Sequence, residues 1–311
     1  MRVTGQMLAN KAIDNINKNY NSMLYFQSRF TTGKKYQSPS EDPVSASTSL
    51  YLSSRASRIQ QYIDRINDAG NITTDTETAL TDINKSIQSI QELVSSASNA
   101  TMSMSERQSI CNEIDQHREQ ILYALNYSST TGYIFGGYNT DRPPVEDSAA
   151  GVTYNGENLL AMTDLMFEDM SSEIISFNIS NGVKMGITMT ALDITGRGEG
   201  NLINTIDKLT AELRKDPPSV SVLTAESKAL EEHLNHVLAK LSEVGGKQQR
   251  LERIGAQLKD AEVLIEDKIS LAEDADAEES IIKYAMAEQA YQASLSISGK
   301  IVQMSLLDYI D

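Results

Sequence analysis

The sequence has no tryptophan, five phenylalanines and one cysteine, Cys111. A single cysteine excludes an intramolecular disulfide framework. It leaves the redox compartment open, because a secreted protein without disulfides reads the same way. Aromatic residues make up 6% of the chain. The long segments are instead rich in Ala, Leu, Ile, Ser and Gln, which favours slender helices over a broad globular core. No run of 18 apolar residues exists, so no membrane span is expected. Met1-Arg2-Val3-Thr4-Gly5-Gln6 leads into a polar amphipathic stretch with no apolar h-region. No signal peptide is read there, and any export is expected to bypass the general secretory route. No repeat of 20–50 residues is evident.

What is present can fold. Hydrophobic residues account for 40% and charged residues for 23%, outside the composition of a disordered chain. With 311 residues the chain has room for about two average domains of roughly 100–200 residues. The net charge of −16 argues against nucleic acid as a partner. Charge is unevenly placed. Up to Tyr36 the bases Arg2, Lys11, Lys18, Arg29, Lys34 and Lys35 face a lone acid, Asp14, whereas Glu273, Asp274, Asp276, Glu278 and Glu279 cluster far along the chain. The asymmetry suggests that the basic end meets an acidic surface.

The two ends are the most patterned stretches. Ala9, Ile13, Ile16, Tyr20 and Met23, then Phe30, step by fours and threes, the 3.5-residue repeat of a helix with a seam for another helix. A break follows. Gly33 can end the helix with a positive φ, while Pro39 and Pro43 cannot continue one. These three define a candidate hinge loop. Ser40 or Asp42 can N-cap the next helix, with Pro43 in its first turn. At the far end Tyr284, Tyr291 and Leu295 share one face, and Met286, Ala290, Ala293, Ile297, Ile301 and Met304 share another. A helix apolar on two faces needs more than one neighbour. With seams gapped at Gln27, Ser298 and Gly299, such helices are marginal alone in water. The ends are therefore expected to be disordered in a free monomer and to order in an assembly, where burial offsets an ordering cost of roughly 1–2 kcal/mol per residue.

Between the ends, helical stripes run from Pro43 to about Asn99, with a register shift at Gly70 and the Thr-rich stretch after it. Ser103 or Ser105, with Glu106 or Gln108 three residues on, can form a capping box for a helix reaching about Ser128. The character then changes. Gly132 to Tyr138 reads as a strand. From Gly151 to about Arg197 the segments read as short and β-like, with turns at Asn155-Gly156 and Asn181-Gly182 and a return strand over Val183–Thr190. Helices resume at Asn201, are interrupted at Asp216-Pro217-Pro218, and run from Val222 to Gly245-Gly246. A strong heptad follows from Leu251 through Ile254, Leu258, Ala261 and Ile265. Helices on both sides of one β insertion imply a mainly α, elongated, hairpin-like rod with both termini at one end.

Sites with chemistry are few. His233 and His236 stand three apart near Glu231 and Glu232, but the zinc-protease arrangement and a third ligand are lacking, so a solvated helix face is expected and no metal. Gly196-Arg197-Gly198-Glu199-Gly200 follows no βαβ strand and reads as an exit from the β module. Cys111, beside Ile110 and Ile114, reads as a half-buried small hydrophobe. Neither an enzyme nor a cofactor is expected.

Four motifs in order resemble the bacterial flagellin-like proteins. They are Phe30-Thr31-Thr32-Gly33-Lys34-Lys35 with Pro39-Ser40-Glu41-Asp42-Pro43-Val44, then Tyr133-Ile134-Phe135-Gly136-Gly137 with Thr140-Asp141-Arg142-Pro143-Pro144, then Glu273-Asp274-Ala275-Asp276, and finally Ser305-Leu306-Leu307-Asp308-Tyr309-Ile310. The Pro-Ser-acid-Asp-Pro-Val form resembles the hook-associated branch more than filament flagellin. Phe30-Thr31-Thr32 departs from the more usual Leu-Ser-Thr and leaves the Gly33 break intact. The resemblance covers nearly the whole chain and is weakest from Asp147 to Gly200.

It implies a flagellin-like fold in three parts. Residues 1–36 with 280–311 would form a terminal coiled coil, 37–140 with 201–279 a helical rod, and 141–200 a small β-rich outer domain. It also implies a structural subunit of the extracellular flagellum, exported by the flagellar type III route without a cleaved signal. The implied partners are another hook-associated protein on the hook side, flagellin on the filament side, copies of itself in a ring-like or helical layer, and an export chaperone. Membrane and nucleic acid are not among them. Two alternatives stay open: a flagellin that forms the filament itself, and a soluble helical export chaperone or adaptor.

Overall fold

A computed structural model of the protein describes the backbone of residues 5–97, 102–129, 132–148 and 151–310, with side chains throughout except at residues 5, 6, 8, 9 and 301–310. In chain order the helices are α1 (Gly5–Thr32), α2 (Pro43–Ala97), α3 (Met104–Leu125), α4 (Asp164–Ser171), α5 (Ala191–Thr195), α6 (Leu202–Leu213), α7 (Val220–Glu273) and α8 (Ala277–Ile310). The strands form three small antiparallel sheets: β1 (Ser128–Ser129) with β2 (Gly132–Tyr133), β3 (Val145–Ser148) with β4 (Gly151–Tyr154) and β5 (Glu157–Asn158), and β6 (Ser176–Ser180) with β7 (Val183–Gly186). The chain is mainly α with a small β-rich insertion. It divides into two compact units, Met1–Ile59 with Asp260–Asp311, and Gln60–Lys259.

The second unit holds the main core. Leu80, Ile83, Ile87 and Ile90 of α2 are fully buried, as are Ile114 and Ile121 of α3, Ile206 and Leu209 of α6, and Leu230 and Val237 of α7. Members of each group lie three, four or seven residues apart, so each helix supplies one apolar stripe. Phe135, ahead of the β insertion, and Tyr154 and Leu159 within it join the same core. A smaller cluster packs Ile179, Met185 and Ile187 of the β6–β7 hairpin against Ile66, Ile72 and Leu251. Burying each of these aliphatic side chains is worth about 1.5–3 kcal/mol. Cys111 is fully buried rather than half-buried, with Sγ toward the Thr210 carbonyl. Burial pushes its thiol pKa up.

Local chemistry sets the boundaries. Ser103 takes the cap of α3, and with Glu106 it closes a reciprocal capping box. The helix ends at Leu125, short of the expected Ser128, because the Asn126 side chain donates to and accepts from the backbone of Val145. The expected strand over residues 132–138 is confined to Gly132–Tyr133. A Cβ on Gly136 would lie 2.1 Å from the Asn139 carbonyl oxygen, and Gly137 has φ +67°, so the chain turns there. Asn155 and Gly156 both have positive φ, as the tight turn between β4 and β5 requires.

Two short helices interrupt the region that reads as β. Thr163 caps α4 and Thr190 caps α5, and β7 accordingly stops at Gly186. α7 runs unbroken through Gly245-Gly246, where a chain break is expected from sequence, because Val244 and Leu251 keep its buried stripe in phase. α2 likewise continues through Gly70.

Candidate assembly site

Within the first unit α1 and α8 run antiparallel along each other. Tyr20 meets Tyr291 with ring centroids 5.5 Å apart, Phe30 stacks near Tyr284 at 6.5 Å, and the Asn19 amide donates to the Ala290 carbonyl at 3.3 Å. A stripe of buried and half-buried positions runs along α1 through Ala12, Ile16, Asn19, Met23 and Phe26, and another along α8 through Ser280, Tyr284, Ala287, Tyr291, Ser294 and Ser298; Ser28, Arg29, Lys283 and Glu288 are half-buried beside them. Both series step by fours and threes, the pattern of a two-helix seam.

The expected seam residues are distributed across this pair. Ile16 and Met23 lie in the α1 stripe, while Ile13 (55% exposed), Tyr20 and Phe30 lie at its exposed edge. Tyr284 and Tyr291 lie in the α8 stripe, and Leu295 and Ile297 (59% exposed) face water. The side chains of Ala9, Ile301 and Met304 lie outside the described residues. Sequence reading missed Ala12, Asn19, Ala287 and Ser294, since small and polar residues weigh little in a hydrophobic pattern. They fall on a 4–3 series that starts at Ala12 and shares Ile16 and Met23 with the expected one, and on one that starts at Ser280 and shares Tyr284 and Tyr291. The apolar residues left facing water, among them Ile13, Leu24, Tyr25, Met286 and Ile297, form an exposed surface of a kind that marks an interaction site.

At the inner end of the pair the basic and acidic stretches meet. Gly33 (φ +69°) closes α1, its N–H donating to the Arg29 carbonyl. Lys34 then pairs with Asp274 as an isolated antiparallel bridge, the Lys35 N–H donates to the Glu273 carbonyl at 2.6 Å, and the Ala275 N–H donates to the Gly33 carbonyl at 2.7 Å. Lys34 Nζ lies 2.8 Å from carboxylate oxygens of both Glu273 and Asp274. Ser49 of α2 donates to the second oxygen of Glu273.

Hydrogen bonds from Lys34 and then Ser49 hold the Glu273 carboxyl below the usual range. Lys34 and then Ser270 do the same for Asp274, and both carboxylates raise the Lys34 pKa. Of the candidate hinge residues, Gly33 ends α1, Pro39 sits in the turn and Pro43 is the first residue of α2. Asp42, not Ser40, caps that helix by accepting from the Ser45 N–H.

Groups considered for chemistry are engaged otherwise. His233 Nε2 lies 2.9 Å from the Gly200 carbonyl oxygen, and His236 Nε2 lies 2.6 Å from that of Asp193. The pair therefore braces α7 against α5 and the turn that follows it, instead of forming a purely solvated face. Among the described residues no cluster of three metal-ligating side chains occurs, and no helix is long and apolar enough to cross a membrane.

Paired terminal helices in one unit and a helical second unit with a β-rich insertion define a class, the flagellin-type subunit. Residues 3–140 match the bacterial flagellin N-terminal helical region and residues 227–310 the bacterial flagellin C-terminal helical region. The chain is 26% identical to flagellar hook-associated protein 3 of Escherichia coli K12 and 25% identical to that of Salmonella typhimurium, covering 98% of this chain and 98% of each relative. A solved flagellar hook-associated protein from Vibrio parahaemolyticus shares the fold with TM-score 0.66 at 24% identity, covering 75% of this chain and 99% of that one. The chain belongs to the flagellin-like proteins, and over nearly its whole length it is similar to flagellar hook-associated protein 3.

Proposed function

We propose that the chain is a structural subunit, not an enzyme, that joins the hook-associated region of the bacterial flagellum to its filament. The observation that carries the reading is the α1–α8 pair, which seals one narrow stripe and leaves further apolar side chains in water. Such a pair gains its missing burial from neighbouring molecules. Residues 1–36 with 280–311 would supply the innermost layer, 37–140 with 201–279 the layer around it, and 141–200 the outward face. The neighbours are another hook-associated protein on one side, flagellin on the other, and copies of the same chain around the axis. An export chaperone would hold the apolar ends before assembly. The protein is exported as part of the flagellum, by a route that needs no cleaved signal.

Substitution of the seam tests this reading. Ile13→Asp and Ile297→Asp change side chains already more than half exposed, so the second unit should keep its thermal unfolding. Incorporation into flagella, read by immunoblot of sheared flagella, should be lost, and motility with it. Ile16→Asp, at a half-buried position of the first unit, should likewise leave the second unit folded and stop incorporation. Normal filaments built from such variants would sink the terminal-seam account. Polymerisation from seeds of the chain alone would instead favour a filament-forming flagellin.

A further inference from the structure

We infer that the first unit carries two complementary helix seams, through which α2 of one copy docks on α7 of the next. The inference deepens the proposed function and rests on its claim that copies of the chain lie side by side. On α2, Val44, Thr48, Tyr51, Arg55 and Arg58 are all exposed. Their 4-3-4-3 spacing places them along one side of the helix, turned away from buried Ser49, Leu52 and Ile59. On α7, Asp260, Leu264, Asp267 and Leu271 are exposed at 4-3-4 spacing, opposite buried Ile265. These stripes repeat the helix-seam pattern, yet Tyr51 is 60% and Leu271 73% exposed. Arg55, Arg58, Asp260 and Asp267 form no ion pair among the described residues.

The occupant follows from charge and register. One stripe runs from Val44 and Tyr51 to two arginines, and the other alternates two aspartates with two leucines. α2 and α7 run antiparallel with Ser49 beside Glu273. Equal rise per residue then sets Tyr51 level with Leu271, Arg55 with Asp267, and Arg58 with Leu264. A second copy at the same height would place Tyr51 on Leu271 and Arg55 against Asp267, with Arg58 level with Leu264 and flanked along α7 by Asp260 and Asp267. A two-fold contact of α2 on α2 would instead oppose arginines. The contact is therefore head-to-tail, and such contacts close into rings or wind into helices.

The experiment places one cysteine in each stripe of the full chain, as Tyr51→Cys with Leu271→Cys, and isolates flagella from cells producing it. Native Cys111 is fully buried, and the chain without added cysteines serves as the control. Oxidation should convert the double variant into a ladder of dimers, trimers and higher species on a non-reducing gel, while either single variant stays monomeric. A double variant present in flagella but giving no ladder overturns the inference and leaves the junction reading standing. So does a single variant that yields dimers. Absence of the unsubstituted chain from flagella would overturn the junction reading and this inference together. Charge exchange gives an arm without cysteines. Arg55→Glu with Arg58→Glu should cut incorporation at least tenfold, and adding Asp260→Arg with Asp267→Arg should restore it. Incorporation of the first pair at the unsubstituted level, or no restoration by the second, counts against the seam.

Discussion

Lys34 shows how much of the first unit turns on single residues. Its ammonium bridges Glu273 and Asp274, and the lowered pKa values of those two carboxyls mean that the join contributes above the ordinary carboxylate range and is lost as pH falls through their depressed values. Lys34, with its pKa raised, stays charged throughout that window. Exposed ion pairs are worth about 1 kcal/mol or less each, so the join is a latch and not a weld. Acid release of the chain from isolated flagella should therefore begin at roughly pH 4 and below. The Glu273→Gln, Asp274→Asn double variant should release more readily already at neutral pH. An identical release profile would remove the latch from the account.

Gly245 and Gly246 test a second residue-scale point. Both are mid-helix with no atom within 4 Å of where a Cβ would stand. Replacing either with Ala should stabilise by about 1 kcal/mol and raise the melting temperature by roughly 2–4 °C. A drop would mean that the glycines serve close packing.

At the scale of elements, the legible signals were those whose chemistry is local. Gly33 as a terminator, Pro43 in a first turn, the Ser103/Glu106 box and the two Asn-Gly turns all follow from side chains within three or four residues. What was not legible depended on distant partners. Asn126 ends α3 because Val145 lies beside it, and α7 crosses two glycines because its buried stripe holds phase. α4 hid within a β-like stretch. Its Thr163 cap can be read locally, but Arg197, which pairs with Asp164 and stacks over Phe167, comes from far along the chain. The site divided in the same way. The 4–3 spacing announced two helical seams, while their phase, with Ala12 and Ala287 innermost, needed the partner helix.

Arg118 is the comparable clamp in the second unit. From α3 it reaches Asp147 of β3 and Asp207 of α6, each at 2.6 Å, and its side chain is 15% exposed. Arg118→Ala should cost about 1–3 kcal/mol, the worth of hydrogen bonds to charged groups. The freed aspartates are already half in water, which holds the loss below that of a fully buried pair. Urea unfolding that leaves the midpoint unmoved would show that the clamp adds nothing.

For the whole molecule, the contrast lies between a unit that completes its own core and one that does not. Gln60–Lys259 encloses large side chains such as Phe135, Tyr154 and Ile121 with essentially no exposure. The α1–α8 pair buries alanines and half-buries tyrosines while Met286, Ile297 and Ile13 remain in water. A two-helix pair of that kind offsets little of its ordering cost by itself. The account's central claim is that these ends order when copies and neighbours cover them.

Backbone NMR of the full chain in dilute solution, compared with a chain trimmed to Tyr36–Ser280, tests that claim most directly. Sharp, poorly dispersed signals that vanish on trimming, over an otherwise unchanged spectrum, are the predicted result. Well-dispersed signals from the α1 and α8 residues of a monomer would show that the ends pair without an assembly, and would contradict the account.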